Sequence, residues 1–162
     1  LDSKSTMGPL VADRRLEVME DFISDAISSG GEVISGGGRG QSPGSFFEPT
    51  LIRDVPDTAK IMIEEPFGPV APSASFSSID EIIERANSLP FGLASYAFTS
   101  NPRTSQILKS EIESGMLAIN SMHIHSVETP FGGLKHSGYG YEGSIEGLEA
   151  FLVTKYSSEI YT

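Results

Sequence analysis

LASYAFTSNPRTSQILKSEIESGMLAIN, running from Leu93 to Asn120, is the stretch whose reading decides the fold. Leu93 to Thr99 is a short, largely apolar run that suits a strand. Asn101 can offer its side-chain oxygen to the free amides of a helix N-terminus. Pro102 then falls at the first helical position, where its missing N–H is not needed. The helix is expected to run to about Glu113. Met116 to Asn120 follows as a strand of small and apolar residues. Strand, helix and strand in this order form the unit from which parallel sheets are built.

Working outward, the alternation continues. Pro69 to Phe76 reads as a strand entered from a loop. Ser78 to Ser88 reads as a helix, with Ser78 as N-cap and Glu81 three residues on. Farther upstream, Leu16, Met19, Phe22, Ile23, Ala26 and Ile27 recur at helical spacing, with Glu17, Glu20 and Asp21 between them. That pattern predicts a helix from about Val11 to Ser29, with Pro9 near its start and Gly30-Gly31 at its end. Glu32 to Ser35 is a short strand candidate. Phe46 to Asp54 is extended, with Pro49 suggesting a sheet edge, and Pro56-Asp57 turns the chain. Downstream, Ser121 to Gly143 is irregular, a short helix lies near Ile145, and Ala150 to Tyr156 is a last strand. The expected fold is α/β, a largely parallel sheet flanked by helices. In such sheets the site lies at the carboxyl ends of strands. The loops after Met116–Asn120 and before Pro69 are therefore the places to look.

Composition narrows the function classes. The 162 residues suffice for one ordinary domain, which buries roughly 70% of the surface its unfolded chain exposes. Net charge is −11, from 22 acidic and 11 basic residues. Arg14-Arg15 is the nearest thing to a basic cluster and stands alone on a helix, so nucleic acid is not an expected partner. The acidity reads as solubility. No cysteine is present, which excludes a disulfide framework and a thiolate metal site within these residues. No apolar run approaches the roughly 18 residues of a membrane helix, and Leu1-Asp2-Ser3-Lys4 does not resemble a signal peptide. The default expectation is a cytoplasmic protein, and a start without methionine suggests a cut or trimmed chain. Gly36 to Gly44 (GGGRGQSPG) lacks the Lys-Ser/Thr of a phosphate loop and opens no helix, so it reads as a connector. His123, His125 and His136 have no usual metal-ligand spacing, and no metal is expected.

Two segments are far from random. One is Glu64-Glu65-Pro66-Phe67-Gly68-Pro69-Val70. The other is Pro130-Phe131-Gly132-Gly133-Leu134-Lys135-His136-Ser137-Gly138-Tyr139-Gly140. Met7-Gly8-Pro9-Leu10, Phe47-Glu48-Pro49-Thr50-Leu51, Phe91-Gly92-Leu93-Ala94, Phe98-Thr99 and Ile119-Asn120 accompany them. In order and spacing these motifs resemble the aldehyde dehydrogenase family, from about Met7 to Tyr156. The wording from Glu128 to Gly143 looks like the semialdehyde branch, such as succinate-semialdehyde dehydrogenase.

The resemblance implies an NAD(P)-dependent oxidation of a small aldehyde to a carboxylic acid. It implies that Glu65 accepts hydrogen bonds from the cofactor ribose and that Phe67 packs against the nicotinamide. Both roles make physical sense for a carboxylate and an aromatic at the mouth of a strand. Phe131 and the residue six before it, His125, would line the substrate pocket, with His123 a second polar candidate nearby. Glycines at 132 and 133 leave the backbone free to adopt positive φ. Asn120 reads as a scaffold residue.

The family's nucleophilic Cys, its base Glu and its dinucleotide-binding half all match regions upstream of Met7. The chain alone is therefore expected to be inactive and to depend on that missing half. Residues 1–147 correspond to the C-terminal part of the catalytic domain and residues 148–162 to an oligomerisation strand and tail, implying a homodimer or homotetramer. Tyr141 stands where the family often has Arg, which leaves one interface or loop anchor in doubt. A non-catalytic oligomerisation or binding module with the same ancestry is the competing reading. A related acyl-phosphate reductase is disfavoured by EEPFGPV.

Overall fold

The computed structural model describes residues 6–161. The chain forms two compact units that divide after Phe76.

The first unit is built on α1, Arg14–Ser28. Leu16, Met19, Phe22, Ile23 and Ala26 make its buried stripe, while Ile27, which shares the periodicity, is 52% exposed. Gly30 ends the helix at φ 108°, a conformation that favours a residue without Cβ. Three strands follow: β1 (Glu32–Ser35), β2 (Thr50–Arg53) and β3 (Val70–Pro72). β2 lies between the other two, antiparallel to β1 and parallel to β3. The edge position suggested by Pro49 is therefore corrected. Proline stands one residue before the strand, so its missing N–H is outside the ladder, and Thr50 N–H makes the first bond, to Pro69 O at 2.8 Å.

Between β2 and β3 lies a single-turn helix, α2 (Lys60–Ile63), which sequence periodicity is too short to reveal. It is tied to α1 from both its backbone and its side chain. Lys60 N–H donates to Asp25 Oδ2 at 2.7 Å, and Lys60 Nζ pairs with Asp21 at 2.9 Å. Phe47, Ile52, Val55, Ala59, Ile61 and Val70 close a core over the α1 stripe. Each fully buried aliphatic or aromatic side chain here contributes on the order of 1.5–3 kcal/mol. The glycine-rich connector is bound back to this unit by Arg39, which holds Glu20 through two bonds of 2.7 and 2.8 Å.

The second unit opens with α3 (Ile79–Asn87), capped by Ser78, whose hydroxyl accepts from Glu81 N–H at 3.1 Å. The strand expected over Leu93 to Thr99 forms over a shorter span, and another short strand precedes it. β4 (Phe91–Gly92) pairs antiparallel with β7 (Leu134–Lys135), and β5 (Ala94–Ala97), the expected strand, pairs parallel with β6 (Met116–Ile119). Leu93 is the break between them. The helix between β5 and β6, α4 (Pro102–Glu111), is the expected crossover, with Asn101 Oδ1 accepting from Arg103 and Thr104 N–H. α5 (Ser144–Glu149) follows.

The architecture is thus α/β, with small sheets flanked by helices. Among the described residues, 151–161 pair with no strand, and Phe151, Val153 and Tyr156 are exposed. A strand is defined by its neighbour's hydrogen bonds, and this segment has no such neighbour among the described residues.

Candidate functional site

Both loops singled out by position carry unusual backbone. In the first unit, residues 64–69 run from the end of α2 into β3. Glu64 N–H closes on Lys60 O at 2.8 Å, and Val70 N–H donates to Gly68 O at 2.9 Å. Between these bonds Phe67 adopts φ +42° and is 72% exposed. A left-handed conformation costs an L-residue roughly 1–2 kcal/mol, and persists where the surroundings over-determine it.

The surroundings here are α1. An Arg15 Nη donates to Pro66 O. A Cβ at Gly68 would stand 2.3 Å from Met19 Sδ, so only glycine allows the loop to lie so near the helix. The Glu65 carboxylate is exposed and is neither hydrogen-bonded nor ion-paired among the described residues. An unengaged carboxylate and an outward aromatic ring two residues apart fit a ribose diol and a nicotinamide face. Glu64 is also exposed, and among the described residues its hydrogen bond is that of its backbone to Lys60 O.

In the second unit, β6 ends at Ile119. Asn120 follows at φ 57° and extends the ladder with its side chain. Its Oδ1 accepts from Thr99 N–H and its Nδ2 donates to Thr99 O, both at 2.8 Å. It is a scaffold group that fixes the start of the irregular stretch.

Farther along, Phe131 and Glu142 exchange two backbone bonds of 2.7 Å each, closing the glycine-rich segment into a loop. The rings of His125 and Phe131 meet edge to face, with centroids 5.3 Å apart at 86°. The structure thus brings together the two residues expected on one pocket wall. It does not bring in His123, which is exposed and whose described contacts run through its backbone to Ser121. His136 lies against Phe91 instead, at 6.0 Å.

The glycines of this loop act differently from the sequence expectation. Gly132 and Gly133 are not at positive φ; Gly138, Gly140 and Gly143 are. Glycine is required at 132 by close approach, since a Cβ there would lie 2.5 Å from the Tyr141 ring and 2.6 Å from Gly140 O. Gly115 faces the same segment, its Cβ position 1.8 Å from Gly132 O. A shallow cavity of about 210 Å³ opens beside them, lined in part by Leu93, Phe131, Gly133, Ser137 and Tyr141. Lys135 braces the loop by donating to Asn87 O at 2.9 Å and pairing with Glu113 at 2.5 Å. Nearby, the Ser126 hydroxyl holds the Glu128 carboxyl below its ordinary range. Among the described residues no three His, Asp or Glu side chains converge on a metal position. No described helix is long and apolar enough to cross a membrane.

Arg15 is the residue that sequence reading missed. Its only signal was the i, i+4 spacing to Met19, which is indistinguishable from an ordinary helix face until the loop is seen against it.

With these features in place, comparison with known proteins is informative. Residues 1–157 match the model of the aldehyde dehydrogenase family, and the chain belongs to that family. It is 42% identical over 154 residues to 4-(hydroxymethyl)benzenesulfonate dehydrogenase of Comamonas testosteroni, covering 95% of this chain and 32% of that protein. It is 41% identical over 152 residues to mitochondrial succinate-semialdehyde dehydrogenase of Rattus norvegicus, covering 94% and 29%. The crystal structure of succinate-semialdehyde dehydrogenase from Burkholderia pseudomallei superposes with a TM-score of 0.91 at 36% identity, covering 94% of this chain and 32% of that one. The chain therefore spans about a third of the length of the relatives it matches.

Proposed function

We propose that this chain is the part of an NAD(P)-dependent aldehyde dehydrogenase that presents Glu65 and Phe67 to the cofactor and His125 and Phe131 to the aldehyde. The observation that carries the reading is the loop at 64–69. Its strained backbone holds an unengaged carboxylate and an exposed ring two residues apart. Glu65 accepts hydrogen bonds from vicinal ribose hydroxyls, and Phe67 covers one face of the nicotinamide. The bound nicotinamide supplies a hydride acceptor. The nucleophile and the general base come from elsewhere in the whole protein, because these 162 residues contain no cysteine. This chain by itself does not turn over aldehyde.

The substrate is a short aldehyde with an anionic group, succinic semialdehyde first. Relatives named for a semialdehyde and for a benzenesulfonate support this class. Phe131 supplies an apolar wall, and His125, set edge-on against it, supplies a polar one, with His123 on the same segment. Within residues 148–162, the oligomerisation strand and tail, the stretch that follows α5 pairs with another subunit in a homodimer or homotetramer. Support comes from the exposed apolar side chains of Phe151, Val153 and Tyr156 and from their lack of a strand partner among the described residues.

The test is the specificity constant of the full-length protein, followed by cofactor reduction. Succinic semialdehyde should exceed acetaldehyde and benzaldehyde by at least about tenfold, the low end of what a single pocket contact provides. Equal or reversed values would reject the substrate class.

A further inference from the structure

Three features lie outside the roles already given: the groove beside Ile27, the exposed terminal segment, and the partly buried Arg15. The groove is open and holds no chemistry-bearing cluster, and the terminal segment belongs to the oligomer reading. Arg15 carries an inference.

We propose that Arg15 is a positioning residue for the cofactor loop, fixing from α1 the direction in which Phe67 and Glu65 face. The inference rests on the cofactor reading of those two residues. Phe67 cannot stabilise its own left-handed backbone by packing, because the residue is 72% exposed. The constraint must come from the peptide units on either side. On one side, Arg15 donates to Pro66 O. On the other, Gly68 rests on Met19, which is fully buried.

Arg15 and Met19 stand one helical turn apart on the same face of α1. The outer ends of the loop are held separately, by the Glu64–Lys60 bond and by the Thr50–Pro69 bond. Among the described residues Arg15 is thus the one side-chain donor that reaches the middle of the loop. Its Nε is buried without a hydrogen-bond partner. An unmatched donor is an unfavourable feature for stability alone, and its presence is accounted for by the reach needed to hold Pro66 O.

The experiment uses the full-length protein in three variants, Arg15→Gln, Arg15→Lys and Glu65→Gln. Hydrogen exchange is read without cofactor, and steady-state kinetics with it. In Arg15→Gln, exchange at the Phe67 and Gly68 amides should quicken about tenfold while α1 and β2 amides stay as they were. The KM for NAD(P) should rise roughly five- to tenfold with the KM for aldehyde unchanged. Arg15→Lys, which still offers a donor to the carbonyl, should restore most of both effects.

Unchanged loop exchange in Arg15→Gln would overturn the proposal. So would faster exchange spread evenly over α1 and β2, which is the signature of a merely structural arginine. Glu65→Gln keeps the two readings apart. It should raise the cofactor KM and leave loop exchange alone. If it leaves the KM unchanged, the cofactor role of the loop fails, and the clamp is then judged by exchange alone.

Discussion

The loop at 64–69 in the first unit and the loop at 131–143 in the second each carry candidate site residues, and the two loops are held by different means. The first is backed by side chains. Met19 and Ile52 are fully buried beneath its unit, and an arginine reaches it from the helix. The second is backed largely by main chain. The Phe131–Glu142 bonds, the close approach of Gly115 to Gly132, and Lys135 capping two carbonyls do most of the holding. In its unit only Leu108, Met116 and Ala118 are buried hydrophobics among the described residues. Position can thus be fixed by volume or by the absence of volume, and the two make different substitutions dangerous.

Truncating the core separates the units most sharply. Ile52→Ala is expected to destabilise by ~3–5 kcal/mol, at the upper end for a large-to-small change at a fully buried site. Met116→Ala, where the side chain is 7% exposed in a thinner core, should cost ~2–3 kcal/mol. Denaturant titration of the chain with circular dichroism gives both numbers. Equal losses would break the contrast.

The reverse change, adding volume, should strike the second loop. Gly115→Ala puts a methyl against a backbone oxygen that cannot swing aside, at an expected ~1–3 kcal/mol. In the full-length protein the aldehyde KM should rise while the NAD(P) KM holds. A variant with native stability and native KM would show that the close approach is relaxed in solution.

The smallest effect concerns the entry to α3. The Ser77 hydroxyl and amide hold the Glu81 carboxyl below its ordinary range. Its contribution is therefore fully present above the ordinary Glu value of about 4.3 and fades as pH falls through the lower folded value. Glu81→Gln should make thermal stability less dependent on pH between 6 and 3.5, taking wild type as the reference in this acid window. If the two melting profiles run parallel, Glu81 is only a surface acid.

Much of the fold was legible because its signals are local. The α1 stripe, the Ser78 and Asn101 caps, and the β5–α4–β6 crossover follow from spacing and capping chemistry within a few residues. The features that were not legible are non-local. α2 is a single turn held by Asp21 and Asp25 some 35 to 39 residues away in sequence. β4 separates from β5 because its partner is β7, beyond α4 and β6. Pro49 pointed to an edge because a proline signal cannot say that it stops one residue short of the ladder.

The candidate site divides in the same way. Sequence by itself determined the family and the two motifs, and named Glu65, Phe67, His125 and Phe131 as candidates, because residue type and order suffice for those. Tertiary structure alone decided that Phe67 is strained and outward, and that His125 meets Phe131 while His123 does not. It alone decided that Gly132 serves close approach rather than positive φ, and that Arg15 reaches across 51 residues of sequence to the loop. The physical reason is that strain, contact and close approach are relations between distant parts of the chain. They exist only once packing has brought those parts together.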